Sequence, residues 1–304
     1  MSTLSVSGLA LPGSIRGKIL IESAKESYLS QLSPKQPVDL VNTSILSLLN
    51  YSGSQTATEG EAKNVSTISS KVVQVQTGVL VSQIRVSKQA QWYDEQARIG
   101  LVEEASKMIS QSVGADVDII ATNATSPASG ANSIDFTKGL AVGSDTVVQN
   151  IASTDKPSVV LAQALQKLRV AGTEVTGIVC SPEFYWNLAY EQNAAGVYVS
   201  PQLTLIKKND PNATFQSATI KTYPHVAFKN FAGTQSNNVA FIAGDFSQLV
   251  WGLDPKGFSW FDQGDPDNTG RDLAGHNEVM IRVESVLQYA ILDKSKFVVG
   301  KNAA

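Results

Sequence analysis

The sequence has 304 residues, and its 24 basic and 27 acidic side chains leave a net charge of −3. This length predicts one large domain or two ordinary ones, with room for a sizeable core. A single cysteine, Cys180, and two histidines exclude an internal disulfide, a cysteine-rich zinc site and most transition-metal cages, so we expect no metal and no cofactor.

The charge balance argues against a dedicated DNA-binding protein, and the hydropathy pattern argues against a membrane-spanning protein. The slightly acidic chain offers too few cations for tight binding to a DNA duplex. No apolar run approaches the roughly 18 residues that span a bilayer, and no basic segment precedes the short apolar patch at the N-terminus. We therefore expect a soluble protein of cytosolic origin with no membrane partner. Ser, Thr, Asn and Gln together supply 89 residues, so the polar surface is mostly uncharged.

Residues 1–51 are predicted to form an N-terminal arm. Weak helical patterns cover residues 19–32 and 39–49, and Pro34 and Pro37 separate them. Two such short pieces bury little by themselves, so the arm is expected to be disordered or to lie against something else.

Residues 52–86 are predicted to form an extended loop. Residues 52–70 are polar and carry few large side chains, which excludes a core-facing strand. Alternation over residues 71–87 places one set of side chains on a common face, namely Val73, Val75, Thr77, Val79 and Val81. At Ile84 and Val86 the apolar phase flips, as a bulge would produce. A single strand of this length would reach about 56 Å and project as a hairpin; two ordinary strands, broken at Gly78 or at the phase flip, fit equally well.

The strongest helical pattern spans residues 91–113, and Gly114 predicts its end. Its apolar stripe consists of Leu101, Val102, Ala105, Met108, Ile109 and Val113. A short strand is predicted at residues 116–121, followed by a loop over 122–132.

A second amphipathic helix is predicted over residues 157–170, with Gly172 closing it. Its buried face consists of Val160, Leu161, Ala164, Leu165 and Leu168. A strand at residues 175–180 then leads into a helix with three agreeing start signals, since Ser181 is a good N-cap, Pro182 suits the first helical position and Glu183 lies in the first turn.

The last quarter of the sequence is rich in strands. Residues 239–253 hold two apolar runs about a turn at Gly244 and Asp245, and residues 278–299 give two more strands. A polar loop, predicted to be mobile, covers residues 262–275 with Leu273 as its only apolar anchor. Strands at both ends of the chain with helices between them predict an α+β fold with a non-contiguous sheet.

Few residues are suited to catalysis. Cys180 could act as a nucleophile with His225 or His276 as its base, but a cysteine that ends an apolar strand is usually buried and inert. The carboxylates of Asp262, Asp265 and Asp267 could recruit a cation, although turns use Asp mainly for backbone reasons. The chain contains no nucleophile elbow, phosphate-binding loop, dinucleotide fingerprint or HExxH pair. We therefore expect no enzymatic activity. The aromatic side chains of Tyr185, Trp186 and Tyr190 are expected to pack in the core.

The order of these elements resembles that of the major capsid proteins of tailed phages with the Hong Kong 97 fold. The segment TATEGEAKN occupies the place of the extended loop in that family. The segment IRVSKQ, followed by YDEQARIGLVEEASKMISQSVGADVDIIATNA, is similar to its strand and spine helix. Its strand and aromatic helix are similar to TGIVCSPEFYWNLAYEQ, and its Gly-Asp-Phe-Ser turn is similar to NNVAFIAGDFSQLVWGL. Its closing strands are similar to EVMIRVESVLQYAILDKSKFVVG. The resemblance covers roughly residues 50 to 300.

This resemblance implies a structural protein whose copies form the hexamers and pentamers of an icosahedral phage head around double-stranded DNA. It implies an arm at 1–51, an extended loop at 52–86, a peripheral domain at 87–145 plus 276–304, and an axial domain at 146–275. The implied intersubunit contacts in the loop are Thr58, Glu59, Gly60, Glu61 and Lys63. Scaffolding and portal proteins are the implied partners, the genome is held loosely, and the protein is expected in the virion after assembly in the host cytoplasm. An encapsulin-like compartment with the same fold is the alternative.

Overall fold

The computed structural model describes residues 27–39, 44–51, 68–88, 95–127, 133, 135–143, 145–198, 213–215, 218–222 and 239–302. Within these residues the helices are α1 Tyr28–Leu32, α2 Glu95–Asn123, α3 Pro157–Val170 and α4 Pro182–Ala189. The strands are β1 Ser44–Tyr51, β2 Ile68–Gln74, β3 Gln76–Ser87, β4 Val147–Ile151, β5 Gly177–Cys180, β6 Ala213–Phe215, β7 Ala218–Thr222, β8 Val239–Gly244, β9 Leu249–Phe261, β10 Glu278–Ile291 and β11 Phe297–Asn302. The predicted mixture of helices and strands is confirmed.

The strands form three sheets in the described part of the chain. β1 and β2 make an antiparallel pair, and β3-β10-β9 is an antiparallel sheet of three strands. The third sheet has six strands in the order β4-β11-β8-β5-β7-β6, with parallel pairing of β4 with β11 and of β5 with β7. The sequence pattern missed β4, β6 and β7, which are short strands of three to five residues.

The six-stranded sheet separates two apolar cores. On one face, Val179, Ile242 and Val299 join the core that α2 and the three-stranded sheet contribute to. On the other face, Ile178 and Val298 join a core that α3 and α4 cover. Because successive residues of a strand point to opposite faces, burial on both sides explains the continuous apolar runs of β5, β8 and β11.

Helix α2 is longer than the sequence pattern predicted. It has 29 residues and reaches about 43 Å, so the predicted end at Gly114 and the predicted strand at 116–121 are wrong. The buried stripe runs from Val113 past the glycine to Val117, Ile120 and Ala121. Burial of this stripe outweighs the roughly 1 kcal/mol that an internal glycine costs a helix. Met108 is exposed, so its placement on the stripe is also wrong.

Residues 68–87 form two strands, which confirms that alternative for the alternating segment. The break lies at Val75, between β2 and β3, and not at Gly78 or at the phase flip. β2 pairs with β1, whereas β3 pairs with β10 in an uninterrupted register, so the bulge predicted at Ile84 and Val86 is wrong. The change of phase falls inside β3, where Val79 and Val81 lie on the exposed face and Ile84 packs against the larger core.

The predicted arm contributes to the core. The helical pattern at 39–49 is wrong, because residues 44–51 form β1, and Ile45 of that strand packs beside Val250 and Ala290. Tyr28 and Leu29 of α1 are fully buried in the larger core. Backbone hydrogen bonds join residues 34–36 to Trp251 of β9. The next residue of β9, Gly252, is needed because a Cβ at this position would lie 2.6 Å from the Gln36 carbonyl oxygen. Residues 27–39 therefore lie against the rest of the subunit, as one of the two alternatives predicted.

The elements with strong local signals are confirmed. α3 buries all five residues predicted for its apolar face. Ser181 caps α4, since its Oγ accepts a hydrogen bond of 2.7 Å from the Phe184 amide. β8 and β9 meet at a short turn where the Asp245 carboxylate accepts from the Ser247 amide, and β10 and β11 follow where strands were predicted.

Candidate assembly surfaces

The N-terminal segment is fastened to α2 by a buried carboxylate. Asp118, fully buried near the C-terminal end of α2, accepts hydrogen bonds from Ser27 Oγ at 2.6 Å and from the Tyr28 amide at 2.8 Å. The Tyr28 hydroxyl lies 3.0 Å from Thr122 Oγ1 one turn further along α2. Burial and the nearby Asp118 carboxylate raise the pKa of Tyr28 well above its usual value, which keeps this phenol neutral. Ser27 and Tyr28 are thus held in one position relative to the long helix.

The β1–β2 sheet has one covered and one uncovered apolar face. Ile45 and Val73 pack against residues of β9 and β10. On the opposite face the cross-strand partners Leu46 and Val72 are 63% and 64% exposed. These two side chains place apolar area directly in solvent.

A second uncovered apolar strip lies on β3, an edge strand of the three-stranded sheet. Val79 and Val81 point to the face away from the larger core and are 57% and 52% exposed. Gly78 faces the other side, where the Phe136 ring leaves no room for a Cβ. Of the side chains that the sequence pattern placed on a common face, Val73 is therefore buried whereas Val79 and Val81 lie on the surface.

The loop at 262–275 is organised around one arginine of β3. Arg85 binds Asp267 through both carboxylate oxygens, Asp265 at 3.1 Å and Glu278 at 3.2 Å, and it also donates to Thr269 Oγ1. The Arg85 guanidinium holds the pKa of Asp267 well below its usual range. Asp265 and Asp267 thus bind a cationic side chain of the subunit itself, and Asp265 also accepts from the Thr269 and Gly270 amides, in line with the backbone role expected of Asp in turns. The loop therefore has polar side-chain anchors in addition to Leu273, its predicted apolar anchor, which is fully buried.

Part of the aromatic cluster on α4 lies at the surface. Tyr185 is buried, but Trp186 and Tyr190 are exposed and stack with their ring centroids 5.5 Å apart. The prediction of core packing is therefore wrong for Trp186 and Tyr190. Without basic neighbours in the sequence, this pair gives no signal for base stacking.

The residues considered for catalysis do not form a site. Burial raises the pKa of the Cys180 thiol, so the thiolate needed for nucleophilic attack is disfavoured. His276 lies on the exposed loop, where its Nδ1 is 2.8 Å from the Asp272 carbonyl oxygen, and His225 lies outside the described residues. Across the described ranges, no three His, Cys, Asp or Glu side chains are placed to hold a metal ion. None of the described helices combines the length and apolar character that crossing a bilayer requires.

The predicted intersubunit residues lie outside the described residues, since Thr58, Glu59, Gly60, Glu61 and Lys63 all fall between β1 and β2. The pairing of Tyr51 with Ile68 brings the two ends of that segment together. Sequence reasoning missed Asp118 and Arg85. A continuation of the apolar stripe beyond Gly114 was the available signal that Asp118 belongs to a helix; no signal in the sequence singles out Arg85.

The same fold occurs in solved structures from several phages. A chain of Gordonia phage Cozz matches with a TM-score of 0.73 and 20% identity over 92% of this chain and 87% of that chain. A chain of Mycobacterium phage Ogopogo gives a TM-score of 0.74 and 21% identity over 91% and 92% of the two chains. A chain from the capsid of an empty gene transfer agent (GTA) particle matches with a TM-score of 0.57 and 12% identity over 100% of this chain and 94% of that chain.

These similarities establish the fold, because they cover nearly the whole chain although few residues are identical. The predicted α+β fold of the Hong Kong 97 type is confirmed. No protein-family model and no curated protein matches the sequence.

Proposed function

We propose that this protein is a major capsid protein of a tailed phage, whose copies assemble as hexamers and pentamers into an icosahedral head around double-stranded DNA. The observation that carries the proposal is the structural match to the phage chains over about nine tenths of this chain, with a TM-score of 0.73 to 0.74. The GTA chain, which its source describes as capsid, extends the comparison to a second kind of particle.

The distribution of apolar side chains supports self-association. Leu46 with Val72, and Val79 with Val81, expose apolar area that a lone subunit leaves in water. Contact with other copies would remove this area from water, with a gain of about 25 cal/mol per Å². The small net charge of −3 also limits repulsion between many identical copies.

The division of the chain remains the one that the resemblance implies. Residues 1–51 form the arm, 52–86 the extended loop, 87–145 plus 276–304 the peripheral domain, and 146–275 the axial domain. The proposed axial and peripheral domains share two sheets, because β9 of the axial domain pairs with β10 of the peripheral domain and β8 of the axial domain pairs with β11 of the peripheral domain. In a shell, residues 58–63 of the extended loop reach a neighbouring copy.

The partners follow from the same proposal. Scaffolding and portal proteins act during assembly in the host cytoplasm, and the finished protein belongs to the virion. The acidic balance of 24 basic and 27 acidic residues favours loose contact with the packaged genome. The buried thiol of Cys180 agrees with a role that is structural and not catalytic. Because the structures compared above come from phages and a GTA particle, the virion shell is favoured over the encapsulin-like compartment.

Electron microscopy of the purified protein, alone and together with the scaffold of its phage, tests the proposal. We expect capsomers or closed shells, and mass spectrometry of native particles should find DNA and a portal protein. A protein that stays monomeric under every assembly condition, or particles that enclose a single cargo enzyme, would refute it.

Deletion of residues 54–66 tests the role of the extended loop. The deletion keeps the whole of β1 and β2, so the subunit should retain its circular dichroism spectrum but fail to form shells. Normal shells from the deleted protein would contradict a contact role for residues 58–63.

A further inference from the structure

A cleft runs between the outer edge of the six-stranded sheet and helix α3. β4 is the terminal strand of that sheet, and its second edge pairs with no strand of the described residues. The cleft is lined by Gln149 of β4 and by Gln163, Gln166, Lys167 and Val170 of α3. An edge strand beside a helix is the geometry in which proteins accept an extended segment as an added strand.

The cleft contains a buried acceptor that has no donor. Gln149 is 9% exposed, and its Oε1 has no hydrogen-bond partner in the described part of the chain. Its Nε2 donates to Gln163 Oε1 at 3.2 Å, so the amide is held in place while the oxygen remains unpaired. A buried oxygen without a donor is unfavourable, and its position in a cleft points to an N–H group supplied from outside the subunit.

The carbonyl groups of β4 that side chains reach along the cleft are only weakly hydrogen-bonded. Side chains reach two of its carbonyl oxygens, with Lys167 Nζ 3.3 Å from the Val148 oxygen and Gln149 Nε2 3.4 Å from the Asn150 oxygen. Both contacts are long for hydrogen bonds. Since carbonyls two residues apart on a strand point the same way, one incoming strand could replace both contacts with backbone N–H groups.

We propose that this cleft binds an extended acidic segment from a second copy of the chain, which pairs with β4 as an added strand. The charge of the cleft selects this occupant, because α3 has no acidic residue and carries Lys167 and Arg169 in its last turn, while the copy as a whole is negatively charged. Val170, 83% exposed at the rim, offers an apolar contact to the added strand. The inference rests on the proposed function, since the shell is what holds a second copy beside the cleft.

Carbodiimide cross-linking of particles assembled from equal amounts of ¹⁴N- and ¹⁵N-labelled protein tests the inference directly. We expect Lys167 to join an Asp or Glu of a second copy, which mixed-isotope peptide pairs identify. In parallel, the amides of residues 147–151 should exchange hydrogen about tenfold more slowly in particles than in free subunits.

Two charge-reversal variants distinguish the role of the cleft from that of the rest of α3. Lys167→Glu should weaken assembly, whereas Lys156→Glu, at the exposed start of α3 and outside the lining of the cleft, should leave it unchanged. Gln149→Leu removes the unpaired oxygen, so it should preserve the thermal stability of the subunit while it slows assembly.

The outcomes distinguish the two proposals. Particles that form without intermolecular cross-links at Lys167 and without slower exchange in β4 would overturn the inference and leave the capsid function standing. Cross-links from Lys167 to a different protein would also overturn it. If the wild-type chain forms no particles with its scaffold, the proposed function is wrong and the inference falls with it.

Discussion

Replacement of Asp118 by Asn should release the N-terminal segment from α2 without unfolding the subunit. Asp118 receives two short hydrogen bonds, from Ser27 Oγ at 2.6 Å and from the Tyr28 amide at 2.8 Å, and a longer one from the Leu29 amide at 3.4 Å. An asparagine keeps one acceptor oxygen and turns an NH₂ group toward a donor, so at least one buried N–H or O–H loses its partner.

The size of the effect follows from these contacts. A hydrogen bond to a charged group contributes about 1.5–3 kcal/mol, and two such bonds are weakened. Part of that loss is offset because the neutral amide is cheaper to bury than the carboxylate. We therefore expect docking of residues 27–33 to lose about 3 kcal/mol, which is roughly a hundredfold in its equilibrium constant.

Hydrogen exchange followed by mass spectrometry measures this change at the segment itself. The amides of Tyr28 and Leu29 should exchange roughly a hundredfold faster in Asp118→Asn, whereas the amides of α3 should be unaffected. Tyr28→Phe removes the hydroxyl that contacts Thr122 Oγ1 and should cost about 1 kcal/mol. Asp116, a less buried carboxylate on the same helix that accepts from Ser112 Oγ at 3.3 Å, provides the matched control, and Asp116→Asn should leave exchange at residues 28 and 29 unchanged. Unchanged exchange at residues 28 and 29 in Asp118→Asn, or equal effects at Asp116, would refute the reasoning.

Three other predictions concern packing, charge and reactivity. Gly300→Ala should lower the free energy of unfolding by about 1–3 kcal/mol in urea denaturation, because the new Cβ would lie 2.2 Å from the Phe241 ring; Gly257→Ala, where no atom lies within 4 Å, is the control, and equal losses would contradict this account. The Arg85–Asp267 contact lowers the pKa of Asp267, so its anchoring of the loop is complete above the ordinary carboxyl pKa of about 4 and is lost as the pH falls below it. Amide exchange in residues 262–275, corrected for its intrinsic rate, should therefore rise in acid, and Arg85→Ala should remove that pH dependence; a wild-type loop insensitive to acid would disprove it. Cys180 should resist alkylation until denaturant unfolds the chain, and rapid native labelling would reopen the nucleophile hypothesis.

Local signals were sufficient where the residues that define an element are neighbours in sequence. The cap at Ser181, the proline at the first position of α4 and the apolar face of α3 act over one or two turns, so these elements were predicted with nearly correct bounds. The same signals failed at Gly114, because the contacts that hold α2 together beyond this glycine come from distant parts of the chain. The residues of 44–51 have a helical pattern, but pairing with β2 makes them a strand.

The candidate surfaces show the same division. The sequence by itself determined the α+β fold, the polar composition of the first third of the chain and the burial of Cys180, since each follows from residue types and local periodicity. Only the tertiary structure decided that Asp118 fastens residues 27–29, that Arg85 organises a loop about 180 positions away in sequence, and that Gln149 faces an open cleft. These contacts join residues that chain folding brings together, and no spacing in the sequence records which carboxylate meets which donor.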